Sequence, residues 1–352
     1  MEFQKFRTMH FPRDVYIGHD VLFKVKDAVS NNSKNENVLI VTGNTTYELA
    51  GKRVKDLLED IGYTVLIIKT GDATYENVDR VSEEIGKRDL GIVLGVGGGT
   101  KIDISKKIAY DLSLPFISIP TAPSHDGIAS PRASIRREGL SYSEEGAMPI
   151  GIIADTAIMI KAPYRYLAAG AADIISNVSA IKDWRLANRL KGEEFSSSAA
   201  AMSEFSAQEI LSNVQLIKEY SESSVWLVTK NILASGTAMA IAGTSRPGSG
   251  SEHLFTHALE SLGVENILHG EMCAMGTVIS MYLHDDNWQV IKDKLEELKV
   301  SVRAADYGIK DETVIHALRT AHSVRNERYT ILGESDMSYD AAVKALEITG
   351  VI

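Results

Sequence analysis

The sequence predicts an α/β domain followed by an all-helical domain, and three observations carry that prediction. In the first ~160 residues, short continuous apolar runs alternate with helical patterns, the mark of a parallel sheet covered on both faces. Beyond about Lys161 the β-rich runs stop, and segments rich in alanine and leucine at helical spacing take over. The chain has 352 residues, enough for about two domains at ~150 residues each. The expected division is 1–160 and 161–352.

In chain order, Asn37–Gly43 (NVLIVTG) reads as a buried strand, followed by a helix around Thr46–Ile61. Tyr63–Gly71 is a second strand and Glu76–Lys87 a second helix. Gly91–Gly99 (GIVLGVGGG) is a third strand running into glycines, with a helix starting near Lys101. Pro115–Pro120 is a fourth strand. Six helical segments follow: Tyr164–Arg189, Ser196–Tyr220, Val225–Ala242, His269–Asp285, Trp288–Leu298 and Asp311–Arg325. The run Ser245–Ser251 (SRPGSGS) is the strongest breaker among them. The cleft between the two domains is the default site.

Composition narrows the function classes. A net charge of −10 argues against nonspecific nucleic-acid binding, which needs a basic face to displace counterions. The single cysteine, Cys273, excludes an internal disulfide framework and fits a reducing compartment. No apolar run reaches the ~18 residues of a bilayer span, and the opening MEFQKFRTMHFPRD has no apolar core of a signal peptide. The expectation is a soluble cytoplasmic protein without membrane insertion, whose anionic ligands must meet a locally positive pocket.

Three segments carry chemistry. Gly95, Gly97, Gly98 and Gly99 follow a strand and precede a helix that opens with Thr100 and Lys101. Glycines there let a ligand approach the backbone, and the helix start offers free N–H groups to a pyrophosphate. The spacing is GxGGG rather than GxGxxG, so the turn could equally serve packing alone. The loop Pro120–Arg132 (PTAPSHDGIASPR) gathers Thr121, Ser124, His125, Asp126, Ser130 and Arg132 where open α/β sheets bind ligands. Finally, GSGSEHLFTHALE sets His253 and His257 on one helical face, and His269 follows in LHGEMCAMG. Asp173 lies in an alanine-rich helix where an uncompensated carboxylate is costly. One Asp with two or three His suits a divalent metal with an open position; a structural histidine interface is the alternative.

With these motifs in this order, the chain resembles the metal-dependent polyol dehydrogenase superfamily, which includes glycerol dehydrogenase, iron-containing alcohol dehydrogenases and dehydroquinate synthase. Through GVGGGTKID, PTAPSHDGIASPRASI, GAADIISN, GSGSEHLFTHALE and LHGEMCAMG it is most similar to the archaeal sn-glycerol-1-phosphate dehydrogenase family. The resemblance implies a dehydroquinate synthase-like fold, with a Rossmann-like dinucleotide-binding domain and an all-α metal-binding domain. It implies Asp173, His253 and His269 as ligands of one Zn2+ per subunit, with nickel and iron open to the same set. His257 then faces the substrate, beside Asp126 and Asp173. Gly97, Gly98, Gly99, Thr100 and Lys101, with Thr121, Ala122, Pro123, Ser124 and Ser130, hold NAD(H) or NADP(H). Asn44 stands where relatives often place an acid that grips the ribose, which opens the site to both cofactors.

The implied reaction is reduction of dihydroxyacetone phosphate to sn-glycerol 1-phosphate, for archaeal membrane phospholipid synthesis, by a homo-oligomer (dimer or octamer). A polyol dehydrogenase without a phosphate requirement and a noncatalytic cofactor-binding protein are the alternatives. Arg246 and Arg132 are the expected phosphate contacts, with Ser249–Ser251 completing a cradle.

Overall fold

The computed structural model describes residues 8–138 and 140–352; residues 1–7 of the N-terminal segment read above lie outside the described residues. Continuous apolar runs, buried on both faces, build a six-stranded, wholly parallel sheet. Its strands are β1 (Asp14–Gly18), β2 (Asn37–Thr42), β3 (Thr64–Lys69), β4 (Ile92–Gly97), β5 (Phe116–Pro120) and, beyond a two-stranded hairpin, β8 (Gly151–Asp155). The order is β1-β8-β5-β4-β2-β3. Register pairs Leu39 with Val93 and Ile40 with Leu94, so one parity of residues shares each face. Val38, Ile40, Ile92 and Leu94 pack under the Val25–Asn32 and Lys52–Glu59 helices. Leu39, Val41 and Val93 face the other way, into a core that runs on without interruption to Ile174, Leu254 and Leu346.

The helical half therefore shares its core with the sheet, one face of which is its floor. All described elements from Thr156 onward are helical. Two expected helices are broken. Tyr164–Ile175 and Asn177–Lys191 meet at Ser176, whose hydroxyl donates to the Asp173 carbonyl at 2.6 Å. Ser197–Ser212 and Val214–Lys218 are separated by Asn213. The final expected helix ends at Thr320, and Ala321–Arg325 is a tighter 3-10 turn. One helix, Glu222–Ala242, is long and apolar enough to span a bilayer, with mean hydropathy 1.3, contrary to the reading of the sequence. In the fold it is a core helix, 61% buried over that window and packed along Ser197–Ser212.

The chain leaves β2 for β3 on one edge and returns to β4 on the other side of β2. The carboxyl ends of β2 and β4 therefore frame the topological switch point where such sheets bind ligands. Gly43 and Asn44 follow β2 there, and Gly98 follows β4. The hairpin, β6 (Arg132–Arg137) with β7 (Leu140–Glu145), is antiparallel and pairs Arg132 with Glu145. It packs against the Gly99–Asp111 helix.

Candidate active site between the sheet and the helices

The glycine turn closes β4 and starts the Gly99–Asp111 helix, with Gly98 as its N-cap. Open space surrounds the position a Gly98 side chain would take, which is what close approach of a ligand to the backbone needs. At Gly99 the reason for glycine differs: an added Cβ would sit 1.7 Å from His125 Nε2. Thr121 N–H donates to the Gly97 carbonyl at 3.0 Å, joining the turn to the loop that leaves β5. Ala122, Ser124 and Ser130 on that loop are buried. The Lys101 ammonium donates to the Gly71 carbonyl and, at 3.1 Å, to Thr100 Oγ1; burial lowers its pKa.

The loop runs from this turn to the helices. His125 Nδ1 accepts from Gly127 N–H at 2.9 Å, and burial lowers the pKa of this imidazole. The next residue, Asp126, donates its backbone N–H to Asp173 Oδ2 at 2.9 Å. Its own carboxylate accepts from Ser235 Oγ at 3.2 Å. Burial, and then the Asp173 charge, push the Asp126 carboxyl well above the usual carboxylate range.

Asp173 is the centre of the arrangement. Its second oxygen, Oδ1, is buried without a hydrogen-bond partner. His253 Nε2 lies 3.7 Å from it and His269 Nε2 3.8 Å. Those gaps are too long for hydrogen bonds but close to the ~3.4 Å that separates two ligands held at about 2 Å by one tetrahedral ion. Four donor atoms, from Asp173, His253, His269 and Cys273, all lie within 4.8 Å of one another. The buried orphan oxygen and the facing imidazole nitrogens fit a divalent metal. His253 Nδ1 is tied to Glu252 Oε1 at 2.9 Å, which fixes the ring with Nε2 turned inward.

His257 stands aside from this set. Its Nδ1 is bound to Glu260 Oε2 at 2.9 Å, and Glu260 Oε1 lies 3.7 Å from His269 Nδ1. Against the burial that would raise it, the hydrogen bond from His257 and then the neighbouring His269 hold the Glu260 carboxyl far below its ordinary range. Burial, then the neighbouring His269, pushes His253 well below the usual imidazole value.

Sequence reasoning missed two participants. Cys273 was read only for redox compartment, yet it lies four residues after His269 on one helix, the same-face spacing used for His253 and His257. Its Sγ is 3.7 Å from His253 Nε2, and burial pushes the thiol up to about 11. Glu260 lay in the quoted neighbourhood, three residues after His257, and bridges two of the histidines.

The structure corrects the expected phosphate contacts. Arg246 is buried and grips both carboxylate oxygens of Glu193, while its remaining nitrogen donates to the Tyr329 carbonyl at 2.8 Å. No fork is left for a substrate. Nor are the N–H groups at the start of Ser251–Ser261 free: Ser251 N–H and Oγ donate to Asp183 Oδ2, and Gly250 N–H to Glu252 Oε1. Two carboxylates already serve that helix start. Arg132 stays available, with Nε on Ser143 Oγ at 3.1 Å and one terminal nitrogen on the Ser143 carbonyl.

Comparison with known proteins gives the family. A family model described as iron-containing alcohol dehydrogenase matches residues 16–163. Proteins named glycerol-1-phosphate dehydrogenase, with NAD(P)+ as their stated coenzyme, match the whole chain. That of Thermoplasma acidophilum is 74% identical over 352 residues, 100% of both chains. That of Picrophilus torridus is 56% identical over the same 100% of both, and that of Methanosarcina mazei 48% over 98% of this chain and 97% of its own. Among solved structures, glycerol dehydrogenase from Schizosaccharomyces pombe superposes with a TM-score of 0.80 at 20% identity, over 98% of this chain and 91% of that one. An iron-containing alcohol dehydrogenase from Thermotoga maritima gives 0.72 at 14%, over 97% and 99%; both show the shared fold. On these full-length matches, the chain belongs to the glycerol-1-phosphate dehydrogenase family of NAD(P)-dependent oxidoreductases.

Proposed function

We propose that this protein catalyses the reversible NAD(P)H-dependent reduction of dihydroxyacetone phosphate to sn-glycerol 1-phosphate. The observation that carries the proposal is the buried, unpartnered Asp173 Oδ1 facing His253 Nε2 and His269 Nε2, one hydrogen bond away from the loop that continues the glycine turn. The names of the full-length relatives support the substrate. Asp173, His253 and His269 hold one Zn2+ per subunit, and residues 1–160 form the dinucleotide domain against a metal-binding domain of 161–352. The product serves archaeal membrane phospholipid synthesis in the cytoplasm, in a homo-oligomer.

When bound, the cofactor supplies hydride and the metal polarises the ketone carbonyl as a Lewis acid. The chain's own residues position and protonate. Gly97–Lys101 and Thr121–Ser124, with Ser130, hold the dinucleotide across the switch point. Asp126 and His257 border the reacting carbon. Because Glu260 stays ionised, it accepts from His257 Nδ1–H and leaves Nε2 as the basic nitrogen on the substrate side. Asp126, held toward its protonated form, is the second group able to deliver a proton.

The test is direct. Metal-loaded protein should oxidise NADH and NADPH when dihydroxyacetone phosphate is added, lose that activity on chelation and recover it with Zn2+. Full turnover in a metal-free preparation would overturn the proposal.

Cofactor choice gives a separate prediction. Asn44 is exposed at the switch point, directly after Gly43. Position 44 itself carries no carboxylate to repel a 2′-phosphate. In Asn44→Asp, the ratio of NADPH to NADH activity should fall by at least ~10-fold, through repulsion of about 1.4 kcal/mol or more. An unchanged ratio would place the ribose elsewhere.

A further inference from the structure

The site as built has metal ligands and a dinucleotide loop, but nothing yet for the two negative charges of a phosphate monoester. Most nearby cations are already engaged. Arg246 is spent on Glu193, Arg136 on Asp72 and Glu265, Arg165 on Glu271 and Lys106 on Asp103; Arg137 lies over the Tyr75 ring.

Three guanidiniums differ. Among the described residues, Arg132, Arg325 and Arg328 have no carboxylate oxygen within 4.0 Å. Arg132 is steadied by Ser143 across the hairpin. Arg328 donates to the Ser249 carbonyl at 2.5 Å and to Ser245 Oγ at 2.8 Å. Arg325 is half-buried, and its side chain has no hydrogen-bond partner among the described residues.

They converge on one place. The Ala321–Arg325 turn and β7, the strand paired with β6, both pack against Ser251–Ser261, the helix that carries His253 and His257. Burial and then the charge of Arg132 lower the Arg325 pKa. Burial, then Arg325 and Arg246, bring Arg328 down to about 9. Like charges gathered in a part-buried site repel one another. In a chain of net charge −10, three guanidiniums without carboxylate partners form a place that an anion would neutralise. Planar guanidinium forks match the oxygens of a phosphate.

Resting on the reading above that the substrate is a phosphorylated ketone, we infer that Arg325, with Arg132 and Arg328, takes the substrate's phosphate group and sets the preference for phosphorylated over unphosphorylated ketone. Arg325 is the group free to reach, and the other two hold the positive field around it.

The experiment compares wild type, Arg325→Ala and Arg325→Lys, all metal-loaded, on dihydroxyacetone phosphate and on dihydroxyacetone, with inorganic phosphate as a competing inhibitor. Arg325→Ala should lose ~100-fold in kcat/KM on the phosphorylated ketone, chiefly through KM, and change little on dihydroxyacetone. Inhibition by phosphate should weaken at least ~10-fold, and Arg325→Lys should recover part of both losses. Arg325→Ala with the wild-type preference and wild-type phosphate inhibition overturns the inference alone. Equal loss on both ketones also overturns it, since the residue would then serve the fold. A wild type that reduces both ketones equally well overturns the reading on which the inference rests, and the inference with it.

Discussion

Asp173→Asn should lower kcat/KM for dihydroxyacetone phosphate by at least ~10³-fold and abolish tight metal binding, while the metal-free protein melts no lower than metal-free wild type. The substitution keeps an oxygen for the Asp126 N–H, which now rests on Oδ2 at 2.9 Å. What it removes is the charge on a buried carboxylate whose other oxygen has no partner. In the metal-free protein neither oxygen needs that charge to hold the fold: one accepts the Asp126 N–H, as an amide oxygen also can, and the other has no hydrogen-bond partner. With metal it would supply an anionic oxygen beside the imidazoles of His253 and His269, with the Cys273 sulfur in the same group of four facing donors. A loss of 10³ corresponds to about 4 kcal/mol of transition-state stabilisation, within what a Lewis-acid metal supplies. The paired readout is thermal stability: metal at ~100 times its Kd should stabilise wild type by about 2.7 kcal/mol and leave the variant unmoved. A variant that keeps its metal and turns over normally would remove Asp173 from the ligand set.

The second large effect is expected at Gly170. This residue lies on the Tyr164–Ile175 helix, one turn before Asp173. A Cβ added there would sit 1.9 Å from the Pro123 carbonyl oxygen and 2.9 Å from its carbon. Both are backbone atoms of the loop proposed to hold the cofactor, so no side-chain rotation relieves the clash. Gly170→Ala must push the helix off the loop, which separates Asp173 from Asp126 N–H. Overpacking of this kind costs about 3 kcal/mol, and a shift near 1 Å at a reacting centre costs roughly 100-fold in rate. A melt and a kcat/KM measurement on one preparation check both halves. Wild-type behaviour in both would mean that the helix is not seated on the loop.

What could be read from the sequence was what local chemistry determines. The four strands read from the sequence, β2 to β5, carry continuous apolar runs, and the structure begins and ends them within one or two residues of the expected limits. β1 and β8 were not anticipated, because DVYIG and GIIAD offer only five residues each. The break at Ser176 was hidden since alanine-rich sequence continues through it; only the hydroxyl's bond to the Asp173 carbonyl shows why the helix parts there. Asp173, His253 and His269 stood out as chemistry in apolar surroundings, and the structure brings them together. Arg246 was misread for a plain reason: nearness to the Ser/Gly loop in sequence says nothing of Glu193, 53 residues earlier, which claims its guanidinium. Arg325 and Arg328 gave no signal of their own, as their meeting with Arg132 depends on how the last third of the chain folds back over the His253 helix.

The proposed metal-held ketone site is one built for a phosphorylated substrate. The most direct measurement is the ratio of kcat/KM for dihydroxyacetone phosphate to that for dihydroxyacetone, on one zinc-loaded wild-type preparation with saturating NADH. The expected ratio is at least ~100, about 2.7 kcal/mol of transition-state binding contributed by the phosphate. A ratio near one, with good turnover of both ketones, would contradict a phosphate-selective site and identify it as that of a polyol dehydrogenase without a phosphate requirement.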